Sequence, residues 1–213
     1  MNFSTLVGLA KSPADARRRE VDGVKETDVM RTGTAAHCLI LEGVDEYEKR
    51  FFVEPATLDM RFKESKLKRQ RWQAEAQDRT ILKKSQGEQA LSMGEAFCGN
   101  ADAMGLLSKS IVERPLFWEE GSLTCKGLVD GFNKEKKHAF DIKTTEDISS
   151  AWSKCKKYYY DVQAAHYVFG LRANGFDVEN YTLVFIERDT PHNMLLLDLS
   201  KNTLEGADML RRS

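Results

Sequence analysis

Leu123-Thr-Cys-Lys-Gly-Leu-Val-Asp130-Gly-Phe-Asn133 and His138-Ala-Phe-Asp141-Ile-Lys143-Thr-Thr145 read as two strands joined by a tight polar turn at Glu135-Lys136. Residues two apart on a strand share a face, so Asp141 and Lys143 point one way while Phe140 and Ile142 fill the other side. Counting outward from the turn pairs residue 134 with 137 and sets Asp130 directly opposite Asp141. Facing residues in a sheet hold their Cβ atoms roughly 5 Å apart, and like charges so placed repel. A hard divalent cation bound through oxygen offsets that repulsion, and Mg²⁺ suits a site with few carboxylates and several waters. A proton shared between the acids offsets it too. Lys143 favours the metal, because it sets a fixed positive charge beside the same point. The plainer alternative makes the aspartates turn-flanking acids and Lys143 a surface residue of an amphipathic strand.

Working outward, Ile111–Trp118 reads as a further strand before this pair. Helices are expected at about Ser149–Lys156 and Tyr158–Asn174, strands at Thr182–Arg188 and Asn193–Leu199, and a short helix at the end. The first half reads helical. Ser12-Pro13 is an N-cap and first-turn pair opening Ala14–Val21, Thr32–Leu41 is an apolar helix stopped by Gly43, and Glu88–Ser108 reads as one long helix. Helices, then strands, then helices and strands again predict an α/β (α+β) fold with a mixed central sheet flanked by helices. The site is expected at one edge of that sheet. Residues 1–213 are expected to form one domain, with a helical part to about 110 and a sheet-and-helix part from about 111.

Apolar residues make up 41% of the chain and charged residues 31%, the balance of a globular protein rather than a disordered or membrane-spanning one. No run approaches the ~20 apolar residues of a membrane span, and the first residues lack the pattern of a signal peptide, so no membrane partner and a cytoplasmic location are expected. A net charge of −1 argues against a basic nucleic-acid coat protein but leaves room for local basic surface. Arg61–Arg71 carries six basic residues against one acid, as either a solvated helix face or a phosphate-contacting segment. Lys154-Cys-Lys-Lys-Tyr-Tyr-Tyr160 interleaves bases with aromatics, as a stacking surface or as a helix end followed by core tyrosines. Cys38, Cys98, Cys125 and Cys155 follow no zinc or iron–sulfur spacing and read as small buried hydrophobes.

Glu113, Asp130, the Asp141-x-Lys143 pair and Gln163-x-x-x-Tyr167, with an upstream Gly33-Thr-Ala-Ala-His37, resemble the PD-(D/E)xK nuclease superfamily. The string from about Arg31 to Leu199 looks like the phage and prophage exonucleases of the RecE type (exonuclease VIII), which serve recombination beside a single-strand annealing protein. The resemblance implies a metal-dependent deoxyribonuclease acting on ends of linear double-stranded DNA, 5′ to 3′, with Mg²⁺ (or Mn²⁺) as cofactor. It also implies a homo-oligomeric ring, a trimer or tetramer. Position by position, it implies that Asp130 and Asp141 bind metal with the backbone carbonyl of Ile142. Glu113 would complete the shell, with Glu119 and Glu120 as nearby alternatives. Lys143 would orient the attacking water and stabilise developing charge. His37 would touch a metal or the scissile phosphate, or serve simply as a core histidine of an apolar helix. Gln163 and Tyr167, four apart on one helix face, would brace Lys143 or the DNA backbone, or act as packing and capping groups. Arg31 stands where a terminal phosphate would arrive. Related branches carry an iron–sulfur cluster on cysteines after the tyrosine; Cys155 is the last cysteine here, so no iron–sulfur cluster is expected. The same residues also admit a non-catalytic DNA-binding module on this fold, or a repair endonuclease of the superfamily.

Overall fold

A computed structural model describes residues 1–23 and 25–212. The chain begins with helices α1 (Phe3–Lys11), α2 (Pro13–Asp22), α3 (Asp28–Leu41) and α4 (Val44–Arg50). Strand β1 (Phe51–Val53), helix α5 (Lys63–Ala76) and strand β2 (Thr80–Leu82) lead into α6 (Lys84–Gly99) and α7 (Ala101–Leu107). Three long strands follow: β3 (Ile111–Glu120), β4 (Leu123–Asn133) and β5 (His138–Thr145). A single 3-10 turn, α8 (Ala151–Lys157) and α9 (Tyr160–Ala173) then connect to β6 (Asn180–Glu187), β7 (Met194–Asp198) and α10 (Lys201–Arg212).

β3 to β7 form one sheet in chain order, antiparallel throughout except for the parallel pair β5–β6. This is the expected mixed sheet. A parallel pair needs a crossover of a dozen or more residues, and α8 and α9 supply it. Both faces are covered. On one, Ala35, Ala36 and Ile40 of α3 and Met93 and Phe97 of α6 pack on Phe140, Ile142, Val184 and Ile186. On the other, Ala164, Val168 and Leu171 of α9 pack on Val129, Ala139, Leu183 and Phe185. β6 is therefore buried along almost its whole length, which is why it is apolar at successive rather than alternate positions. α3 comes close to β5: a methyl on Gly33 would sit 3.2 Å from the Thr144 hydroxyl.

Four points of local structure need correcting. The helix read as continuous over Glu88–Ser108 is two, because Asn100 is extended and its side chain accepts from the Ala103 amide, capping α7. α3 starts at Asp28, ahead of Thr32, because Thr27 caps it by accepting from the Met30 amide. α1 was missed together with its cap, Asn2, which accepts from Thr5. The parallel pair β1–β2 was missed as well; strands of three residues carry no period to read. Most of the basic run, from Lys63 on, lies on α5, whose one buried residue is Ala76, so it is an exposed helix face open to either reading. Of the cysteines, Cys38, Cys125 and Cys155 are buried as expected and Cys98 is exposed. No helix among the described residues is long and apolar enough to cross a membrane.

Gly131 lies under the Phe140 ring: an added Cβ would fall 2.1 Å from two ring atoms. Gly131→Ala should lower unfolding free energy by roughly 1–3 kcal/mol, the cost of overpacking a core. Gly105→Ala, in α7 with open space around the position, should be neutral or raise stability by up to about 1 kcal/mol. Urea unfolding of both variants checks this; equal effects would place the ring elsewhere.

Candidate active site

The register of the sheet sets three acids in one row. Gly131 pairs with Phe140 in the β4–β5 ladder, so one further rung sets Asp130 against Asp141. In the β3–β4 ladder Val112 pairs with Gly131 and Arg114 with Val129, so the rung between sets Glu113 against Asp130. Neither ladder closes there. Glu113 takes φ 47°, outside strand geometry, and the β4–β5 pairing ends at Gly131. β4 also loses its alternation at this point. Gly127 faces the Tyr167 ring of α9, whereas Gly131, four residues on and due to share its face, lies against Phe140 of the opposite core. Into the gap goes the Asp130 carboxylate, whose Oδ2 accepts the Ile142 amide at 2.7 Å. The row therefore runs from the edge strand β3 through β4 to the middle strand β5, so the expected edge position holds for Glu113 and the acids reach inward from there.

Around the row stand residues from two helices. His37 reaches in from α3, its Nδ1 3.5 Å from Asp130 Oδ2. Ligand atoms of His37, Glu113 and Asp130 all lie within 4.8 Å of one another. Asp141 lies outside that group and makes an ion pair with Lys143. Lys143 Nζ donates to Gln163 Oε1 at 3.0 Å, and Gln163 Nε2 donates to the Tyr167 hydroxyl at 3.0 Å. Lys143 Nζ also lies 4.7 Å from the centre of the Tyr160 ring. The expected metal set thus differs in one respect: His37 stands with Glu113 and Asp130, while Asp141 holds the lysine. Ile142 contributes its amide, and its carbonyl faces the same gap, since both groups of a strand residue turn to the same neighbour.

Electrostatics of this cluster follow from burial. Asp130 and Asp141 are 8% and 2% exposed. Burial, and then the charge of Asp141, push the Asp130 carboxyl up to about 6, against the lowering pull of His37, Lys143 and the Ile142 amide. Burial and Asp130 push Glu113 up to about 7, with Glu42 adding to the repulsion. Burial would lower the Lys143 ammonium; Asp141 and Asp130 outweigh it and hold it above the ordinary lysine range. Burial raises Tyr167 to about 12, so its hydroxyl stays neutral as it accepts from Gln163. Two acids resisting ionisation beside an imidazole, all within reach of one point, fit a divalent cation that would take their negative charge.

The structure also separates look-alikes. Glu119 accepts from Thr124 at 2.9 Å and Glu120 pairs with Arg211 of α10 at 2.9 Å, both at the far end of β3. Arg31 pairs with Glu26 and Asp28 at the start of α3. His166 is buried with its ring 4.7 Å from Trp118, off the site. Tyr160 is the site residue that sequence reasoning missed. Its run was noted for composition, but its stacking on Lys143 depends on how α9 leaves the sheet.

The fold is that of a PDDEXK-like nuclease core. The family described as "PDDEXK-like domain of unknown function (DUF3799)" matches residues 2–211, and the chain belongs to it. Among solved structures, the "putative exonuclease" of Eubacterium rectale is similar over 99% of this chain and 76% of that one, with a TM-score of 0.73 and 14% identity. The phage-related exonuclease of Haemophilus somnus 129PT aligns over 98% and 87% at 15% identity, with a TM-score of 0.39. No curated protein matches the chain in sequence.

Raised carboxyl pKa values mean that the folded protein holds these protons more tightly than the unfolded chain, so their contribution to stability falls as pH rises from about 4 towards 7. In EDTA, the stability of Asp130→Asn relative to wild type should therefore increase between pH 5 and pH 7.5. Mg²⁺ at pH 7.5 should raise the melting temperature of wild type more than that of the variant. Parallel melting profiles with pH and metal would mean that Asp130 is neither strained nor a ligand.

Proposed function

We propose that this chain is a divalent-metal-dependent deoxyribonuclease that hydrolyses linear duplex DNA from its ends. The observation that carries this reading is the row Glu113–Asp130–Asp141 with Lys143 locked beside it. Glu113, Asp130 and His37 would hold a Mg²⁺ (or Mn²⁺) ion, with Asp141 and the Ile142 carbonyl as further ligands. Bound there, the metal would polarise the scissile phosphate and lower the pKa of a water. Lys143, kept charged by the two aspartates, orients that water and offsets charge gathering on the phosphoryl oxygens. Gln163 fixes the lysine from α9, and Tyr167 fixes the glutamine. The whole chain acts as one nuclease domain.

The finer reading rests on the resemblance to RecE-type exonucleases. Digestion runs 5′ to 3′ and leaves a single-stranded 3′ tail for an annealing protein. Copies of the chain form a ring, trimeric or tetrameric, which would keep a protein of net charge −1 on its substrate by enclosing it. Light scattering with a processivity assay checks this: a monomer that digests processively would rule the ring out.

Asp130→Asn, Asp141→Asn and Lys143→Ala should each lower DNA hydrolysis in Mg²⁺ by at least ~10²–10³, as losing charge stabilisation does in other hydrolytic sites, while circular dichroism stays unchanged. Duplexes labelled at either end, with covalently closed circles as control, measure rate and polarity together. Near-normal turnover by any of the three variants would refute the site. Cutting of circles at the linear rate would refute end-dependence.

A further inference from the structure

Between α8 and α9 the chain leaves large aromatic side chains in solvent. Trp152, Tyr158 and Tyr159 are 49%, 47% and 43% exposed. Tyr159 takes the left-handed conformation, φ 58° and ψ 38°, and this parts the two helices and turns the segment outward. Aromatic groups of this size are normally the first to be buried, so three exposed within eight residues call for a partner.

Cations alternate with these rings. Lys156 Nζ stands 5.0 Å from the Trp152 ring centre and Lys157 Nζ 5.5 Å from that of Tyr158. The Tyr158 ring lies 5.7 Å from that of Tyr160, and Tyr160 carries Lys143 at 4.7 Å. A continuous column thus runs from the lysine of the candidate site to the surface. Lys156 is neutralised by Asp161. Lys154 donates to Thr145 and the Asp147 carbonyl. Lys154 also lies close enough to the Asp147 carboxylate to help lower its pKa, so among the described residues it is Lys157 that has no carboxylate partner.

We propose that this ledge binds single-stranded DNA next to the active site, stacking bases on Trp152 and Tyr158 and attracting phosphates with Lys157. The duplex is a poorer fit: its bases hide their faces in the stack, whereas an unpaired strand offers a face at every base to whichever ring is free. Negative phosphates also match a ledge whose uncompensated charge is a lysine, Lys157. The placement beside the active site draws on the nuclease reading; the binding itself does not.

The test is fluorescence anisotropy with labelled oligothymidylate and with a blunt DNA hairpin, in EDTA so that nothing is cut. Trp152→Ala and Tyr158→Ala should each weaken oligothymidylate binding by about five-fold or more, the usual loss of one stacked base. Trp152→Phe and Tyr158→Phe should bind within about two-fold of wild type, because a ring remains. Hairpin binding should change little in all four. Unchanged oligothymidylate binding in the alanine variants, equal losses for oligothymidylate and hairpin, or a loss tracking a change of oligomeric state by light scattering would each overturn the ledge. Cleavage assays in Mg²⁺ keep the two readings apart. Ledge-dependent strand binding without cleavage would remove the nuclease and keep the ledge; cleavage with ledge-independent binding would do the reverse.

Discussion

The hydrogen bond from the Ile142 amide to the Asp130 carboxylate, 2.7 Å long, replaces a rung of the sheet, and the candidate site depends on it. Had the β4–β5 ladder continued past Gly131, that amide would have been spent on backbone and the aspartates would have faced each other across a closed sheet. By inserting a side chain, β4 parts from β5 at the rung where Glu113 also leaves strand geometry in β3. An opening lined with acids is the result, inside a sheet buried on both faces. Backbone irregularity of this kind costs free energy, and it persists where the surrounding packing over-determines it. Here the rest of the β3–β4 ladder and the Phe140 ring over Gly131 do so.

Burying that much negative charge is unfavourable unless opposite charge and hydrogen bonds come with it. Lys143 supplies the charge from the same strand face as Asp141, and α9 supplies the bonds. Gln163 and Tyr167 are one helical turn apart, so a single face of α9 delivers the acceptor that holds the lysine and the hydroxyl that holds the glutamine. His37 closes the other side, from a helix that approaches the sheet on small residues, Gly33, Ala35 and Ala36. The lysine is thus held by Asp141, while His37 stands with Glu113 and Asp130.

Much of this was legible in the residues. Period-two alternation set Asp141 and Lys143 on one face, and the length of the polar turn set Asp130 opposite Asp141, because register in a hairpin follows from the turn. The sheet's mixed character followed from the order of strands and helices. Other features depended on contacts that no local pattern encodes. Glu113 could not be separated from Glu119 and Glu120 until Thr124 and Arg211 were found holding the latter two. Asn100 broke an apparently continuous helix through a cap that a period of 3.6 residues does not reveal.

Sequence by itself determined the strands of the main sheet, the β4–β5 register and the shared face of Asp141 and Lys143, since these follow from alternation and chain connectivity at short range. Only the tertiary structure decided that His37 joins Glu113 and Asp130 while Asp141 turns to Lys143, and that Tyr160 stacks on that lysine. The reason is physical. These groups come from α3, β3, β4, β5 and α9, far apart in the chain, and which oxygen meets which nitrogen depends on how strands part and helices close over them at ångström scale.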